Sequence, residues 1–531
     1  MEQFKIDFNA SGLFSNLFLD YSDKKTFLEN FVVDFPSIEN IKRDLGSFKF
    51  DYLDRNVLKD ELISQNASIK MSGETMNNIL LLSKDNSYTV TTGHQLCLFT
   101  GPSFFIYKII SCIKTCIELN KEIPGKHFVP VYWMATEDHD LEEIDHAFFY
   151  GKKITWKVDG TGRAGEISAK GIEKVLDELR VILGDSENSN KIISLFENSY
   201  LKSKNLAGAT RFLVNELFGK HGLVILDGNS KALKDLFKEE IKKEIFDPHS
   251  FEKVNETSDE LEKAGYPVQV VPREINLFYG EKGSRERIIK SGDNFVVVNS
   301  DRTFNEAEIL KEIDMNSSAF SPNVVLRPLY QQKILPNIIY CGGPGEMAYW
   351  LQYKSFFDTT GIHFPFLLPR NFVCLFEKSN LVKWKALGFN EADLFSDEES
   401  LIKIYVQKES GVISLEEKKK KVDEFFLELE KETVETDKSL VTFVRAEKQK
   451  ALNGLDVLEA KLNKFLKQKN ENGINQIVSL RAKVFPTGVF QERQENFFAF
   501  VNKRGFGLLD EIFDEMESPV GKKEITVFVL S

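Results

Sequence analysis

The sequence lacks the features of a secreted, membrane-spanning or nucleic-acid-coating protein. Its five cysteines, Cys97, Cys112, Cys116, Cys341 and Cys374, form no Cys-x-x-Cys pair and no disulfide framework, so we expect a reducing, cytoplasmic compartment. The amino terminus has no apolar core of signal-peptide length, and no run of about 18 apolar residues could span a membrane. Acidic side chains outnumber basic ones by 81 to 69, which argues against a nucleic-acid or membrane partner.

What is present is typical of a large globular protein. The 531 residues, 42% of them hydrophobic and 28% charged, leave room for several domains of about 150 residues each. We predict a mostly helical N-terminal segment over residues 1–85 that packs on a core at 86–385, with insertions at about 150–210 and 250–320. A helical, coiled-coil domain at 386–482 and a C-terminal segment at 483–531 that returns to the core complete the prediction.

The core alternates between predicted strands and predicted helices. Ser87–Thr92 is short and β-branched, Ser103–Asn120 is a long apolar segment with a proline at its start, and Phe128–Met134 is again a short apolar run. Further along, we predict strands at Leu223–Asp227 and Ile338–Cys341, and helices at Thr210–Phe218, Lys231–Ile245 and Glu346–Phe357. This order predicts an α/β fold with a doubly wound, parallel sheet.

Other segments predict smaller features around this core. Short strands at Val268–Val271, Leu277–Tyr279 and Phe295–Val298 indicate a small inserted sheet, and Lys153–Val158 indicates a further strand. Gly171–Leu183 has the pattern of an amphipathic helix. At the C-terminus we predict a helix at Gln491–Asn502 and a strand at Ile525–Leu530.

The Lys/Glu-rich stretch Ser414–Lys469 has no proline and an apolar seam. Ala451, Leu455, Leu458, Leu462 and Phe465 are spaced 4, 3, 4 and 3 residues apart, as in a coiled coil. The stretch is long enough for two antiparallel helices or one interrupted helix. It could be a solvated arm, but the seam needs a partner, which favours a homodimer contact.

Polar residues follow the first predicted strand. Gly93 and Gly101 allow tight backbone turns, while His94 and Gln95 add side-chain donors ahead of a helix start. Such a loop can hold a phosphate or a developing negative charge. An ordinary strand-to-helix turn with a hydrogen-bonded histidine fits this pattern equally well.

An acidic loop follows the second predicted strand. Glu137, Asp138, His139 and Asp140 can together orient an amine, hold a divalent cation or tune a general base. We select Asp138 and His139 as site candidates and expect Asp140 to cap the next helix. A zinc site built with His94, Cys97 or His146 fits no standard ligand spacing, so we predict no metal ligands.

A third polar cluster joins glycines to one acid. Gly342, Gly343 and Gly345 lie between a predicted strand and a helix, with Glu346 in the first helical turn and Tyr349 and Trp350 behind it. Glu346 could instead serve the helix dipole, and the two aromatics could be core. Nearby, Arg327 lies in an apolar segment with Asn323, where a guanidinium usually pairs with a carboxylate of protein or substrate.

Five segments together resemble one known family, the bacillithiol biosynthesis cysteine-adding enzymes, or BshC family. They are TTGHQLCLFTGP at 91–102, PVYWMATEDHDLEEIDH at 130–146, SPNVVLRPLYQ at 321–331, CGGPGEMAYW at 341–350 and FPTGVFQER at 485–493. The resemblance covers nearly the whole chain in order. Family members commonly have glutamine where this chain has His94.

The resemblance implies a Rossmann-like core with inserted segments and a coiled-coil domain that forms a homodimer. It implies a ligase that adds L-cysteine to glucosaminyl-malate, driven by ATP through a cysteine carboxyl activated as an adenylate or an acyl phosphate, with Mg²⁺ as the metal to test. We expect Asp138, His139 and His94 to be catalytic, and Gln95, Arg327, Asn323, Glu346, Tyr349 and Trp350 to bind substrate. Phosphate binding is expected at Thr92, Gly93, Gly101, Gly342, Gly343 and Gly345. The alternatives are a nucleotide-binding regulatory protein without turnover and a dimeric scaffold.

Overall fold

A computed structural model describes residues 1–158, 160–281, 283–411 and 414–531. The strands of the central parallel sheet are β2 (Ser87–His94), β3 (His127–Met134), β6 (Val224–Asp227), β12 (Asn337–Gly342) and β13 (Phe366–Pro369). The other strands are β1 (Glu2–Asp7), β4 (His146–Phe149), β5 (Lys152–Thr155), β7 (Leu277–Tyr279), β8 (Glu286–Ser291), β9 (Asn294–Val297), β10 (Thr303–Phe304), β11 (Phe320–Pro322), β14 (Phe372–Glu377) and β15 (Glu524–Leu530).

The α-helices alternate with these strands and then dominate the C-terminal part. Up to β12 they are α1 (Phe8–Ser11), α2 (Asn16–Ser22), α3 (Ile38–Asp44), α4 (Arg55–Asn66), α5 (Gly73–Leu81), α6 (Phe104–Glu122), α7 (Leu141–Ile144), α8 (Ile172–Leu183), α9 (Glu187–Tyr200), α10 (Leu206–Phe218), α11 (Lys231–Asp235), α12 (Lys238–Phe246), α13 (His249–Lys263), α14 (Glu306–Met315) and α15 (Leu326–Ile334). After β12 they are α16 (Pro344–Leu351), α17 (Lys354–Thr360), α18 (Lys378–Ala386), α19 (Glu398–Ser410), α20 (Glu416–Thr436), α21 (Val441–Lys469), α22 (Glu471–Val484), α23 (Phe497–Arg504) and α24 (Gly507–Glu515).

The central sheet has the order β13-β12-β2-β3-β6, and every neighbouring pair is parallel. The chain starts in the middle at β2, builds outward through β3 and β6, and then returns to add β12 and β13 on the other side. The predicted doubly wound sheet is therefore confirmed. The reversal places a crevice between the carboxyl ends of β2 and β12, which is where open α/β sheets bind their ligands.

The central elements form because their residues are buried on nearly every side. β2 is β-branched over most of its length, and seven of its eight residues are buried. The helix α6 is apolar around most of its circumference and is covered by the sheet on one side. Cys112 and Cys116 of α6 pack with Val90, Phe128 and Ile338 of the sheet, so these thiols belong to the core.

Smaller sheets surround this core. An antiparallel sheet has the order β10-β9-β8-β7-β11, which confirms the predicted inserted sheet. β4 and β5 form an antiparallel hairpin whose two turn residues, Tyr150 and Gly151, both have positive φ, as a two-residue hairpin turn requires. A three-stranded sheet has the order β1-β15-β14, and β1 was not predicted from the sequence.

Four predicted elements differ from the structure. The segment Val268–Val271 is irregular, because the Gln352 side chain accepts hydrogen bonds from the backbone N–H groups of Gln269 and Val270. The predicted helix Gln491–Asn502 becomes a short 3₁₀ turn followed by α23, which Asn496 caps by accepting from the Phe498 N–H. The predicted helices at 231–245 and 346–357 are each broken into two, α11 with α12 and α16 with α17.

The chain divides into two compact units. The first comprises Met1–Asn9, Leu13–Cys374 and Val489–Phe528, and the second comprises Ala10–Gly12, Leu375–Gly488 and Val529–Ser531. In the second unit α20 and α21 run antiparallel, joined by ion pairs that link Lys419 to Glu459 and Asp423 to Lys448. The residues of the predicted apolar seam do not share one environment: Leu455 and Leu462 are half-buried, whereas Phe465 is 63% exposed.

Candidate functional site

A cavity of about 710 Å³ lies at the carboxyl ends of β2, β3 and β12, all within the first unit. The end of β2 contributes Gly93 and His94, the end of β3 contributes Trp133 and Met134, and the turn after β12 contributes Gly343. The cavity therefore occupies the crevice where the direction of sheet building reverses.

The β2 end is shaped by a lysine that the sequence analysis did not select. Lys108, buried in α6, donates to the carbonyl of Gly93, which ties the helix to the end of the strand. His94 packs against the rings of Phe104 and Phe105. Burial and the Lys108 ammonium lower the pKa of His94 to about 3, so this imidazole is neutral at physiological pH.

The acidic loop after β3 is tied to the β2 end through Gln95. The Nε2 of Gln95 donates to Asp138 and to Glu143, both at 2.7 Å. The other oxygen of Asp138 accepts from the backbone N–H of His139. One amide thus holds two carboxylates side by side at the cavity wall, where they form a negative surface.

Glu137 in the same loop is already paired. The Nζ of Lys234, from α11, lies 2.8 Å from a Glu137 oxygen and also donates to the carbonyl of Phe320. Burial lowers the pKa of Lys234 to about 8. This pair anchors the loop, and it leaves Asp138 and Glu143 as the unneutralised acids at this wall.

His139 meets an arginine from the inserted sheet. The Nη1 of Arg285 lies 2.5 Å from Nδ1 of His139, and both groups pack on the ring of Phe278. Asp140 occupies the position before α7, but its side chain makes no capping hydrogen bond, so the predicted side-chain cap is wrong. The reason is that α7 is a single turn and the loop is held by Asp138 instead.

The β12 end holds Glu346 in a web of donors. Its oxygens accept from the Gly343 N–H at 2.9 Å, from the Tyr340 hydroxyl and from the Lys108 ammonium. Burial acts to raise the pKa of Glu346, but the adjacent Lys108 outweighs it and keeps the pKa below its ordinary value. Glu346 is therefore ionised, and its partner is Lys108 rather than Arg327.

The guanidinium of Arg327 lines the cavity, and the described residues satisfy only part of its hydrogen-bonding capacity. Its Nη1 donates to Gln331, and the Tyr349 hydroxyl lies close enough to interact with the guanidinium, whereas Nη2 is buried and meets no acceptor at hydrogen-bond geometry among the described residues. The guanidinium lies over the rings of Trp133 and Tyr340 at the cavity wall. A buried donor without a partner is costly, and an anionic ligand in the cavity would satisfy it.

Two further arginines complete this positive end and were missed by the sequence analysis. Arg370 and Arg493 line the cavity. Arg370 forms a bidentate pair with Glu492, at 2.7 and 3.1 Å, in which both side chains are 1% exposed. The segment FPTGVFQER contributed only to the family resemblance. Its adjacent glutamate and arginine, Glu492 and Arg493, were the feature that could have indicated a charged site.

The cavity brings together most of the predicted site residues. Those that line it are Gly93, His94, Gln95, Asp138, His139, Asn323, Arg327, Gly343, Gly345, Glu346 and Tyr349. Those that do not are Thr92, Gly101, Gly342 and Trp350. Trp350 is fully buried against Tyr340, Phe357 and Phe364, which makes it a core residue.

Asn323 lines the cavity, but its side chain is committed to the fold. Its Oδ1 accepts from the backbone of Val325 and Leu326 at the start of α15, and its Nδ2 donates to Asn276. It therefore fixes the helix that carries Arg327.

In the described ranges no helix is both long enough and apolar enough to cross a membrane. Over the same ranges, no three His, Cys, Asp or Glu side chains are grouped so that they could hold a metal ion.

Comparisons with known proteins identify the family of the chain and its two domains. A family model described as the bacillithiol biosynthesis BshC N-terminal Rossmann-like domain matches residues 1–371, and one described as the BshC C-terminal coiled-coil domain matches residues 373–528. The chain is similar to proteins named "Putative cysteine ligase BshC". Identity is 43% to that of Flavobacterium psychrophilum and 42% to that of Flavobacterium johnsoniae, each over 96% of this chain and 97% of the relative. It is 38% to that of Cytophaga hutchinsonii, over 94% of both chains.

Proposed function

This chain belongs to the bacillithiol biosynthesis BshC family, and from that premise we propose that it is a ligase that joins L-cysteine to glucosaminyl-malate with the free energy of ATP. Amide formation is unfavourable without activation of the carboxyl group. ATP converts the cysteine carboxylate to an adenylate, with release of pyrophosphate, or to an acyl phosphate, with release of ADP. The amine of glucosaminyl-malate then attacks that carbonyl, releasing AMP or phosphate and one proton.

The observation that carries this proposal is the charge balance at the positive end of the cavity. Lys108, Arg327, Arg370 and Arg493 are four cations, whereas the carboxylates that face them are Glu346 and Glu492. The excess of two positive charges matches the two carboxylates of a malate group. The unused Nη2 of Arg327 supplies a ready donor for one of them.

The opposite wall suits the ammonium group of cysteine. Asp138 and Glu143, held together by Gln95, are the acids there that form no direct ion pair with a lysine or arginine of the described residues. We assign Asp138 to binding this ammonium or to accepting a proton. His94 is a weak proton acceptor, because its pKa is about 3, so its role is to donate or accept hydrogen bonds as a neutral ring.

For the nucleotide, we propose that the backbone at Gly93, Gly343 and Gly345 approaches the phosphates. These glycines line the cavity, and small residues allow a ligand to come close to the main chain. The Gly343 N–H already donates to Glu346, so we assign the phosphate contacts to the main chain at Gly93 and Gly345. Mg²⁺ is the metal to test together with the nucleotide.

The test is a complete reaction with ATP, cysteine and glucosaminyl-malate, in the presence and absence of Mg²⁺. We expect a thiol product of the mass of bacillithiol, detected by mass spectrometry after thiol labelling, together with either ADP or AMP. The identity of the nucleotide product decides between an acyl phosphate and an adenylate. No product, when a BshC relative is active in the same assay, would favour a regulatory or scaffold protein.

Substitution of Arg327 tests the malate contact. We expect Arg327→Lys to raise the KM for glucosaminyl-malate by about 10- to 100-fold. A charge-assisted hydrogen bond contributes about 1.5–3 kcal/mol, and lysine cannot reproduce the two parallel donors of a guanidinium. The KM for cysteine should change little. Arg180→Lys, at an exposed position outside the cavity, is the matched control. A wild-type KM in folded Arg327→Lys would remove this contact.

We further propose that the chain is a homodimer through exposed apolar side chains of α20 and α21. Phe425, Phe443 and Phe465 are each more than half exposed on this helical hairpin, and Leu458 is 46% exposed. Leu458→Asp combined with Phe465→Asp should halve the mass measured by light scattering, since a carboxylate is costly to bury. Lys461→Asp on the same helix is the control. An unchanged mass would place any dimer contact elsewhere.

A further inference from the structure

His139 is held by a residue from a different part of the fold. It lies in the loop after β3 and lines the cavity, whereas Arg285 immediately precedes β8 of the inserted sheet. The Nη1 of Arg285 is 2.5 Å from Nδ1 of His139. Arg285 is itself fixed by three other contacts: Nε donates to Ser321, Nη2 donates to the carbonyl of Pro322, and the guanidinium lies 3.9 Å from the ring of Phe278.

This contact decides which imidazole nitrogen carries the proton. A guanidinium has donors only, and burial lowers the pKa of Arg285 to no less than about 10, so it stays charged at neutral pH. Nδ1 of His139 must then be the acceptor, and the ring proton resides on Nε2. Protonating Nδ1 would set two cations against each other. Nε2 makes no hydrogen bond within the described chain and is the nitrogen left for a ligand.

We propose that Arg285 fixes His139 as the neutral Nε2–H tautomer, so that His139 donates a hydrogen bond to a substrate oxygen instead of taking a proton. Arg285 is on this view a positioning residue. The proposal rests on the proposed ligase reaction only for the identity of that oxygen, which is a carbonyl or hydroxyl oxygen of a bound substrate. The proton released when the amine attacks then goes to another acceptor, for which Asp138 is the nearest carboxylate in the loop.

The first test reads the tautomer directly and does not depend on activity. In protein with ¹⁵N-labelled histidine, the resonances of His139 are assigned by their loss in His139→Gln. We expect an unprotonated Nδ1 and a protonated Nε2 from pH 6 to 8. The charged groups that face this ring are Arg285, Asp138, Asp140 and Glu286. Burial and the charge of Arg285 lower the pKa of His139, and they outweigh the three carboxylates, which raise it. A protonated Nδ1 in the wild-type protein would overturn the proposal.

The second test separates a donor from a base. Glutamine at position 139 can donate a hydrogen bond but cannot act as a base, and alanine can do neither. Loss of one such donor costs about 100- to 1,000-fold in kcat. We therefore expect His139→Ala to lose at least about 100-fold and His139→Gln to stay within about 10-fold of wild type. Equal loss in the two variants would mean that His139 is the base.

The third test concerns Arg285 itself. Arg285→Met keeps an apolar stem on Phe278 but removes the donors, so the pKa of His139 should rise and a protonated Nδ1 should appear near neutral pH. Arg287→Gln, two residues along and outside the cavity lining, should leave the histidine spectrum unchanged. An unchanged spectrum in Arg285→Met would overturn the positioning role. If that variant does not fold, Arg285→Lys serves, because an N–H of its ammonium group should still donate to Nδ1 and keep the Nε2–H form; a protonated Nδ1 in Arg285→Lys would overturn the proposal.

Discussion

The buried pair of Arg370 and Glu492 offers the sharpest test of how the cavity is built. Glu492 accepts two hydrogen bonds from Arg370 and a third, of 2.9 Å, from the Val373 N–H. Glu492→Gln removes the negative charge and keeps the shape. Arg370 would then lie buried next to Arg493, and the nearby carboxylate that is left, Glu346, is already paired with Lys108.

Two estimates of the free-energy cost of breaking the Arg370–Glu492 ion pair agree. Opposite charges about 4 Å apart interact by about 4 kcal/mol at the effective dielectric constant that applies in proteins. Breaking a buried ion pair by removing one partner costs about 3–5 kcal/mol in measured cases. We expect Glu492→Gln to lower the free energy of unfolding by about 3 kcal/mol, since the amide oxygen retains part of the hydrogen bonding.

Urea unfolding followed by tryptophan fluorescence measures this loss. Trp133, Trp156 and Trp350 lie in the same unit as the pair, so three of the four tryptophans report on it. Glu187→Gln, which removes one side of an exposed pair with Lys191, is the control and should unfold like wild type. A loss below about 1 kcal/mol in Glu492→Gln would refute the reasoning.

A double substitution separates stability from function. Arg370→Met together with Glu492→Leu removes both charges, and apolar replacement of a buried pair is often neutral or stabilising. We expect this variant to regain most of the stability that Glu492→Gln loses while it binds the anionic substrate weakly, because the cavity has lost one of its four cations. A double variant as unstable as the single one would point to lost packing rather than to an unbalanced charge.

Two other expectations concern buried groups. Burial raises the pKa of Glu244 from 4.5 to about 7, so the folded protein binds more protons than the unfolded chain between those values, and stability falls as the pH rises through this window. Glu244→Gln should remove this loss, roughly 3 kcal/mol, and be more stable than wild type at pH 8 but not at pH 4 in urea unfolding; the same difference at both pH values would refute this. In Gly228→Ala, the new Cβ would lie 2.6 Å from the Trp133 ring. The displaced indole should cost about 1–3 kcal/mol and weaken substrate binding, and a wild-type melting temperature with a wild-type KM would contradict this.

The candidate site was predictable where its residues follow directly from strands. The β-branched segment at 87–92 and the apolar run at 128–134 predicted β2 and β3, and the polar residues after them had to lie at the same edge of a parallel sheet. Gln95, Asp138, His139 and Glu346 were selected for this reason, and all four line the cavity. Their partners were not predicted, because Lys108 and Arg285 lie in elements that carry no motif, and Glu143 lies in a quoted segment that assigned it no role.

The alternation of strands and helices, the inserted sheet and the helical character of 414–469 could be predicted, because they depend on patterns that repeat within a few residues. Whether that last stretch is a hairpin or one interrupted helix, and which distant side chains meet, depends on the tertiary structure. Arg370 pairs with Glu492 across 122 positions, and Arg285 reaches His139 across 146. Trp350 is the opposite case. Its place in the motif predicted a site residue, yet it lies on the buried face of α16 and packs in the core. Local periodicity fixes which face of an element is buried, but the charges that a buried site requires are balanced between elements, and that balance exists only once the chain has folded.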